Sequence, residues 1–514
     1  MDEHLFPQLI PPRRSSASQE PARPSCLHLS APAKWRAAGE RRLDASSGSG
    51  SGNGEATLAN SESLLPGYPT PVWRPVQYLG SKLRSLEAIA WAASKFATPG
   101  SAVVDAFCGT AVVSQRLAAM GARVTAVDAG AAPCVWARAL LGVGLPSGVT
   151  PRGHLSALLS DFERMARSEV DARGTPWAHE LEVEGRFLAS RDAAGLTGHE
   201  LSLPQVWRPS GATPRQQEVF ARWHDATRAD RLIPLGFLSG VFAGSYLGLR
   251  QTLQAEAMLW AASDLHAAGR ADHWQYDALR MLICHALSSA SYSPGKHFAQ
   301  PHKRDGRKDL TFHGERLLSD RNVDLIEATV RAAEALASST RGVDERHAVI
   351  HRRLEDLRPG DLGSVSCLYA DPPYTAQQYS RFYHLLELAV DGRARELQYV
   401  GDGAARRVTS GLYARDRFLS DFCRTSTAPR ALSQLVSLAH HLRAALLLSY
   451  SGSASGSTGN RRVISMEKVL DEVGRVYGPS RVEVMDVSVA YRPFRSDSVQ
   501  GRDDREYLVI ANAP

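Results

Sequence analysis

The chain has 514 residues, of which 43% are hydrophobic and 22% are charged, with 60 lysines and arginines against 54 acidic residues. This is a globular composition, and the chain is too long for a small secreted scaffold held together by disulfides. The net charge of +6 permits a nucleic-acid partner without requiring one, because only clustered charge forms a phosphate-binding surface.

Residues 1–66 differ in composition from the rest of the chain. They are rich in proline, serine, arginine and alanine, and they include a run of glycine and serine at 46–54. Such a segment buries too little apolar surface to offset the entropy lost on ordering. We therefore predict a disordered tail. A basic DNA-binding arm is the weaker alternative, because its seven basic residues are matched by seven acidic ones.

A strand–helix–strand unit opens the folded part of the chain, in the region 67–150. The apolar runs 101–107 and 123–128 are typical of short buried strands, and 111–119 between them favours a helix. Two strands joined through a helix predict a parallel sheet with a right-handed crossover.

The region 151–345 is predicted to be mostly helical. Its clearest signal is an apolar series spaced by three and four residues, which predicts an amphipathic helix. The series is Val323, Ile326, Val330, Ala333 and Ala337. The uncharged run 232–249 contains a proline and four glycines, so a buried soluble segment is favoured over a membrane span. The densest basic cluster follows at 296–308, with five lysines and arginines against one aspartate.

Strand signals return in the region 346–514. They lie at 348–350, 365–369 and 445–450, with two late strands at about 482–491 and 506–511. Together with the first unit they predict one α/β core that is split by a helical insertion.

The tetrapeptide Asp371-Pro372-Pro373-Tyr374 directly follows an apolar strand signal. Two prolines remove two backbone donors and stiffen the chain, so the turn presents a carboxylate, free carbonyls and an aromatic ring. Such a turn at the carboxyl end of a parallel strand is suited to stack on a planar ring and to accept hydrogen bonds from its amino group. A proline-stiffened surface loop is the structural alternative.

Two further motifs lie near the first strand. Gly109 falls on a strand-to-helix turn, and Asp128 ends the next strand 19 residues later, the spacing at which an acid holds a ribose diol in nucleotide-binding units. The turn has no G-x-G-x-x-G and no basic residue, so a nucleoside without phosphates fits better than a dinucleotide. The run Gly80-Ser81-Lys82 offers one cation near a ligand carboxylate. An ordinary turn and a solvent-facing helix start are the alternatives.

The order of these motifs resembles the Dam-like family of DNA adenine N6-methyltransferases. The chain reads Tyr78-Leu-Gly-Ser-Lys82, then Asp105-Ala-Phe-Cys-Gly109, then Asp128, then an insertion, then Asp371-Pro-Pro-Tyr374. The resemblance spans about 76–511 and is reinforced by the segments 246–251, 379–387, 448–451 and 505–510. It implies a Rossmann-like S-adenosylmethionine methyltransferase sheet, mostly parallel with an antiparallel last strand. The region 67–150 would then be the cofactor half, 151–345 the target-recognition insertion and 346–514 the catalytic half.

The resemblance also implies roles for individual residues. Asp371 and the Pro372 carbonyl would accept hydrogen bonds from the adenine amino group, Pro373 would stiffen the turn, and Tyr374 would stack on the base. The S-adenosylmethionine site would comprise Tyr78, Gly80, Lys82, Asp105, Phe107, Gly109, Asp128 and Asp356, with Glu355 as the rival of Asp356. The family turn usually carries glycine where this chain has Ala111, which is costly only if that position needs a positive φ.

Double-stranded DNA is the implied partner, and the insertion is its expected surface. Candidates for phosphate contact are Lys296, His297, Lys303, Arg304, Arg307 and Lys308, and Gln300 or His302 would reach base edges. Arg461, Arg462, Arg492 and Arg495 are candidates for a second basic rim. Such methyltransferases commonly mark self DNA, which implies a restriction or phage-defence partner. A DNA-binding module with a degenerate cofactor site, and the same chemistry on RNA or on cytosine N4, remain alternatives.

The six cysteines stand singly, with no C-x-x-C pair. This pattern indicates neither a zinc site nor a redox pair, and it is typical of a reducing compartment. The cysteine pattern therefore predicts a cytoplasmic location, and the methyl transfer that the resemblance implies requires no metal.

Overall fold

Seven strands form a single sheet in the residues that the computed structural model describes, which are 72–229, 237–302, 307–339, 346–451, 462–487 and 506–514. The predicted tail at 1–66 lies outside the described residues. The strands are β1 (Ala102–Asp105), β2 (Arg123–Asp128), β3 (Ala348–His351), β4 (Cys367–Ala370), β5 (Ala445–Ser451), β6 (Val482–Asp486) and β7 (Glu506–Ala511).

The strands lie in the order β3-β2-β1-β4-β5-β7-β6. β1 to β5 pair in parallel, whereas β7 runs antiparallel to both β5 and β6. The predicted α/β class, with a mostly parallel sheet and an antiparallel last strand, is confirmed. The two remaining strands, Tyr399–Val400 and Arg407–Val408, form a separate antiparallel ribbon.

The central strands are apolar because they are covered on both faces. Every residue of β4 and of β5 is buried, which explains why these segments are mostly apolar, with Ser449 and Ser451 as the buried polar residues of β5. The predicted strand at 101–107 is shorter in the structure, since Ala106 and Phe107 already belong to the turn that follows β1.

Helices surround the sheet and fill the insertion. In chain order they are α1 (Leu86–Ser94), α2 (Val112–Ala119), α3 (Ala131–Leu141), α4 (Pro151–Gly174), α5 (Ala178–Ala189), α6 (Ala193–Ser202), α7 (Pro214–Ala229), α8 (Ser239–Phe242), α9 (Leu249–Ala267), α10 (His273–Ala290), α11 (Arg307–Asn322), α12 (Leu325–Ser339), α13 (Pro359–Leu362), α14 (Ser380–Asp391), α15 (Ala428–His441) and α16 (Met466–Tyr477). No helix among the described residues has the length and apolar character needed to cross a membrane.

The insertion packs directly on the α/β core. Its helices α4, α9 and α12 contact one another, and α10 joins them to α3 and α14 of the core. The predicted amphipathic helix is α12, where Ile326 and Ala333 are buried. The helical insertion therefore rests against the helix that follows Asp371-Pro-Pro-Tyr374.

The strand order reverses beside β1. The chain runs outwards from β1 through β2 to β3, and then returns to the other side of β1 with β4 and β5. In open α/β sheets the loops at the carboxyl ends diverge at such a point and leave a crevice, which is the usual ligand site. The predicted motifs after β1 and β4 flank this crevice.

Candidate functional site

A cleft of about 310 Å³ opens at the carboxyl ends of the parallel strands. Its lining includes Phe107 after β1, Asp128 at the end of β2, His351 at the end of β3 and Asp371 after β4. Neighbouring strands therefore bring together groups that lie up to 264 residues apart in the chain. The cavity is bordered by part of the predicted cofactor and catalytic motifs, namely Tyr78, Phe107, Asp128, Asp371 and Pro373, but its lining does not include Gly80, Gly109 or Tyr374.

Asp128, which lines the cleft at the end of β2, is held by backbone amides. Gly109 donates its N–H to Oδ2 at 3.1 Å, and Gly130 donates to Oδ1 at 2.9 Å. Burial raises the pKa of Asp128, while these backbone bonds oppose that rise. Each carboxylate oxygen keeps acceptor capacity, because an ionised carboxylate offers about four lone-pair sites in all.

Gly109 is required by a close approach. Its φ is +48°, and a side-chain carbon there would lie 3.2 Å from the ring of Tyr78. Tyr78 stacks on Tyr383 with a centroid distance of 4.5 Å and an interplanar angle of 9°. The hydroxyl of Tyr383 in turn accepts the Leu79 N–H at 2.7 Å, so the motif before β1 is fixed against α14.

Ala111 adopts the left-handed conformation, with φ 56° and ψ 21°. The condition under which alanine is costly at this position is therefore met. The strain is roughly 1–2 kcal/mol for an L-residue. The methyl group of Ala111 is fully buried in the core. The turn therefore keeps its left-handed conformation although that conformation is strained.

Asp105 lies beneath the cleft and is 1% exposed. Ser114 donates its hydroxyl to Oδ2 at 2.6 Å, whereas Oδ1 is buried without a hydrogen-bond partner. Burial raises the pKa of Asp105 to about 7. This residue supports the turn after β1 and is not among those lining the cleft.

Lys82 and Asp371 form an ion pair beside the cleft, which Asp371 lines and Lys82 does not. Their Nζ and Oδ2 atoms are 3.0 Å apart, and the side chains are 5% and 20% exposed. Burial raises the pKa of Asp371 to about 6, and the charge of Lys82 opposes that rise. Burial alone would lower the pKa of Lys82, but its neighbours, chiefly Asp371, raise it overall. Glu506 on β7 lies 3.7 Å from the same ammonium.

The second oxygen of Asp371 has a different environment. Oδ1 is buried and has no hydrogen-bond partner. Because Oδ2 is already paired with Lys82, Oδ1 is the atom left to accept a hydrogen bond from a ligand. Lys82 is itself anchored by the Gly80 carbonyl at 3.2 Å.

Tyr374 completes the predicted turn. Its ring meets Tyr450 edge-on at 5.8 Å, and the guanidinium of Arg462 lies 4.7 Å from its centroid. Pro372 is buried, and Pro373 borders the cleft. Arg462, predicted as part of a basic rim, thus contacts the aromatic ring of the turn.

Glu355, not Asp356, lines the cleft. Both belong to a short turn of helix at Leu354–Asp356, but Asp356 is exposed and absent from the lining. A one-residue offset on a tight helical turn points the two carboxylates in different directions. The geometry therefore argues against Asp356 and favours its rival.

Glu387 and Phe422 are among the lining residues that carried no predicted role. Glu387 on α14 accepts the N–H groups of Ala131 and Ala132 at 2.9 and 3.2 Å, so it caps the first turn of α3. Burial raises the pKa of Glu387 to about 7. Phe422 meets Phe107 edge-on at 5.3 Å and gives the cleft an apolar wall. Glu387 ends the family-like run 379–387, whereas Phe422 lies in an irregular segment without a pattern.

The predicted DNA-contacting residues have mixed outcomes. Lys296 Nζ is 2.5 Å from Asp320 Oδ1 and also donates to the Ser289 carbonyl, so its charge is already paired and the prediction is not supported. His297 packs edge-on against Phe382 at 4.8 Å. Lys303 and Arg304 lie outside the described residues, as do the side chains of Arg307 and Lys308 at the start of α11, and also Arg461, Arg492 and Arg495.

The two predicted base-reading residues differ in exposure. Gln300 is exposed, whereas the His302 ring packs 4.6 Å from Tyr292 and 4.9 Å from His313. Gln300 therefore remains the more accessible of the two.

Comparisons of the chain with protein-family models, with curated proteins and with solved structures found no match.

Proposed function

We propose that the protein is an S-adenosylmethionine-dependent DNA adenine-N6 methyltransferase. The observation that carries the proposal is the asymmetric state of Asp371. One of its oxygens is bound to Lys82 at 3.0 Å, and the other is buried, unpartnered and at the edge of a cleft. An acceptor held ready in this way suits an amino group as its partner.

The finer fold assignment belongs to the same proposal. A Rossmann-like methyltransferase sheet is supported by three features: the parallel strands β1 to β5, the reversal of strand order beside β1, and the antiparallel β7. Fold alone does not imply an activity, so the side chains of the cleft carry the argument.

The cleft fits the nucleoside part of S-adenosylmethionine. Its volume of about 310 Å³ is at the lower end of the range of small-molecule sites, roughly 300–1,000 Å³. Asp128 offers its remaining lone pairs to the ribose hydroxyls, and Phe107 and Phe422 form apolar walls for a purine. Lys82 and Tyr78 would face the methionine end. When bound, S-adenosylmethionine supplies an electrophilic methyl group.

The turn after β4 would activate the acceptor amine. The target base leaves the duplex at a cost of a few kcal/mol, and stacking on Tyr374 recovers roughly 1–3 kcal/mol. Asp371 Oδ1 and the Pro372 carbonyl would then accept hydrogen bonds from the two amino hydrogens, which localises the nitrogen lone pair for in-line attack on the methyl carbon. The carbon–sulfur bond would break as the carbon–nitrogen bond forms, and the product amine would release its extra proton to solvent. Because an ionised carboxylate is a stronger acceptor than a protonated one, activity should fall as the pH drops below about 6.

The target-recognition role of the insertion is proposed on its position. Helix α10 packs against α14, the helix that follows the catalytic turn, so the insertion borders the side of the cleft where DNA would enter. A cytoplasmic role in self-marking, with a restriction or phage-defence partner, rests on the family resemblance alone.

Replacement of Asp371 tests the proposal. Asp371→Ala should abolish methyl transfer to duplex DNA while labelled S-adenosylmethionine still binds in equilibrium dialysis. Asp371→Asn is the matched control of nearly equal volume: its amide oxygen still accepts a hydrogen bond, so it should keep part of the activity, and that activity should no longer fall below about pH 6. Methyl transfer retained by Asp371→Ala would refute the mechanism. Methylation-sensitive long-read sequencing of host DNA with and without the protein reports the base and its sequence context.

A DNA-binding module with a degenerate cofactor site is the second candidate. The strained Ala111 in the turn after β1 is the observation that favours it. No binding of labelled cofactor at saturating concentration would select this candidate over the enzyme.

A further inference from the structure

Two arginines share one buried tyrosine beside the cleft. Arg381, in the first turn of α14, donates from Nε to the Tyr413 hydroxyl at 3.2 Å, and its guanidinium lies 5.4 Å from the ring centroid. The Arg417 guanidinium lies 5.0 Å from the same centroid. Since Tyr413 is only 6% exposed, the ring is a fixed support for two cations.

Neither cation has an acidic partner in the part of the chain that the structure describes. Neighbouring arginines do: Arg395 pairs with Asp391 and Asp416, and Arg415 pairs with Glu396 at 2.8 Å. Arg417 instead donates to a neutral acceptor, the Gln398 Oε1 atom at 2.8 Å, and its Nε is buried without a hydrogen-bond partner among the described residues.

The two charges also act on each other. Burial lowers the pKa of Arg417, and the nearby charge of Arg381 lowers it further. Half-buried like charges held close together without a counterion are unfavourable in isolation. Such an arrangement is stabilised when an anion binds between the two groups.

The location of the pair relates it to the proposed substrate. Arg381 is ten residues after Asp371, and Tyr413 donates its hydroxyl to the carbonyl of Ala299 in the predicted basic cluster. The same stretch is tied to α14 by the Phe298 N–H, which donates to the Phe382 carbonyl at 2.9 Å. The pair therefore stands where the insertion meets the helix that follows the catalytic turn.

The surrounding segment is basic. Residues 392–427, between α14 and α15, contain seven arginines and no lysine, against four acidic residues. Arginine matches the geometry of a phosphate through its planar fork of donors, whereas lysine acts as a point charge. The segment does not stand out in the sequence as a basic cluster, because its seven arginines are spread over 36 positions.

We infer that Arg381 and Arg417 form a phosphate clamp for the DNA backbone next to the catalytic turn. The inference rests on the proposed function and names a contact surface for its substrate. The clamp positions the duplex and carries no base information, as is general for phosphate contacts. The competing occupant is a small anion bound in the cleft, which Arg417 also borders.

The salt dependence of duplex binding tests the clamp. Fluorescence anisotropy with a labelled DNA duplex would compare the full-length protein with Arg381→Ala, Arg417→Ala and the double variant over a series of salt concentrations. Each lost phosphate contact should reduce the slope of log K against log salt concentration by about 0.9, and the double variant by about 1.8. Lysine at either position keeps the charge and should restore most of the slope.

Arg415→Ala is the matched control. Arg415 is two residues from Arg417, but its charge is neutralised by Glu396, so the slope should stay unchanged. Circular dichroism and thermal unfolding would confirm that each variant is folded. Binding of S-adenosylmethionine, measured by calorimetry, should be the same in Arg381→Ala and Arg415→Ala as in the wild type, because neither residue lines the cleft.

Three results would overturn the clamp. Unchanged slopes in both alanine variants would refute it while leaving methyl transfer by the wild-type protein intact. Weaker cofactor binding by Arg417→Ala, with the slope unaltered, would assign the arginine to the cleft. Absence of duplex binding and of methyl transfer in the wild-type protein would refute the clamp together with the proposed function.

Discussion

The ion pair between Lys82 and Asp371 can be tested without any assumption about the substrate. Lys82→Met removes the ammonium and keeps an apolar side chain of similar length in a site that is only 5% exposed. Asp371 is then a buried carboxylate without its cation. We expect its pKa to rise further above the present value of about 6, because burial continues to disfavour the charged form.

The size of this rise follows from the distance. At 3.0 Å two unit charges attract by about 1.4 kcal/mol in bulk water and by about 5.5 kcal/mol at an effective dielectric constant of about 20. These energies correspond to about one and about four pKa units. In the variant the pKa of Asp371 should therefore be about 7 or higher.

The sign of the effect on stability is set by linkage. The folded-state pKa of Asp371 lies above its unfolded value of 3.8, so the folded protein holds this proton more tightly. Its contribution to stability is full below about pH 4 and is lost at about 1.4 kcal/mol per pH unit until the folded pKa is passed. In the wild type this loss ends near pH 6, whereas in Lys82→Met it continues to about pH 7 or beyond.

Denaturant titration measures the difference. Between about pH 6 and about pH 8, Lys82→Met should lose about 1.0–2.3 kcal/mol more of its unfolding free energy than the wild type, which itself loses about 0.4 kcal/mol over this interval. Asp105 and Glu387 also titrate in this range, but they are present in both proteins and largely cancel. Asp371→Asn and Lys82→Met/Asp371→Asn are the controls, and they should differ by an amount that does not change with pH. Parallel curves for the wild type and Lys82→Met would contradict the ion pair.

Two further predictions concern the ligand side of the cleft. Ala111→Gly relieves roughly 1–2 kcal/mol of strain in the left-handed conformation. It also loses about 0.8 kcal/mol from burial of the methyl group, and the greater freedom of glycine in the unfolded chain costs about 0.4–1 kcal/mol. Because these terms nearly cancel, the free energy of unfolding should stay within about 1 kcal/mol of the wild type. Ala118→Gly, in the helix α2 that Ala111 precedes, should lose about 0.5–1 kcal/mol, and an equal or larger loss in Ala111→Gly, measured by denaturation, would argue against strain. Glu355→Gln should weaken S-adenosylmethionine binding about tenfold or more in calorimetry, since charged hydrogen bonds contribute about 1.5–3 kcal/mol. Asp356→Asn should leave the affinity unchanged, and the reverse order of the two effects would restore Asp356 as the cofactor ligand.

The strands near the centre of the sheet were predictable from their apolar residues. The structure has β2 at Arg123–Asp128, where three of six residues are buried, and β5 at Ala445–Ser451, where all seven are buried, close to the predicted bounds. Mostly apolar segments of this length are typical of a parallel sheet covered on both faces. The Gly109 and Asp371 turns were found for a related reason, since glycine and paired prolines restrict the backbone locally.

The contacts between distant segments were not predictable from local pattern. Lys82 was assigned to a ligand carboxylate, but its partner in the structure is Asp371, 289 residues away. Lys296 was assigned to phosphate because it opens a basic cluster, yet it pairs with Asp320 on α11. The sequence shows that a charged side chain can donate or accept a hydrogen bond. Its partner, however, is decided by which helices and strands the fold brings together.

Glu387 shows the same limit at a position where the sequence did carry a signal. The run 379–387 indicated that the segment matters, and the helical spacing of Tyr379, Tyr383 and Glu387 puts all three on the face of α14 that lines the cleft. The pattern does not reveal that Glu387 accepts two N–H groups from the start of α3. The carboxylate thereby links α14, which follows the Asp371 turn, to α3, which follows Asp128. A change in the position of α14 would therefore also change the hydrogen bonds at the start of α3.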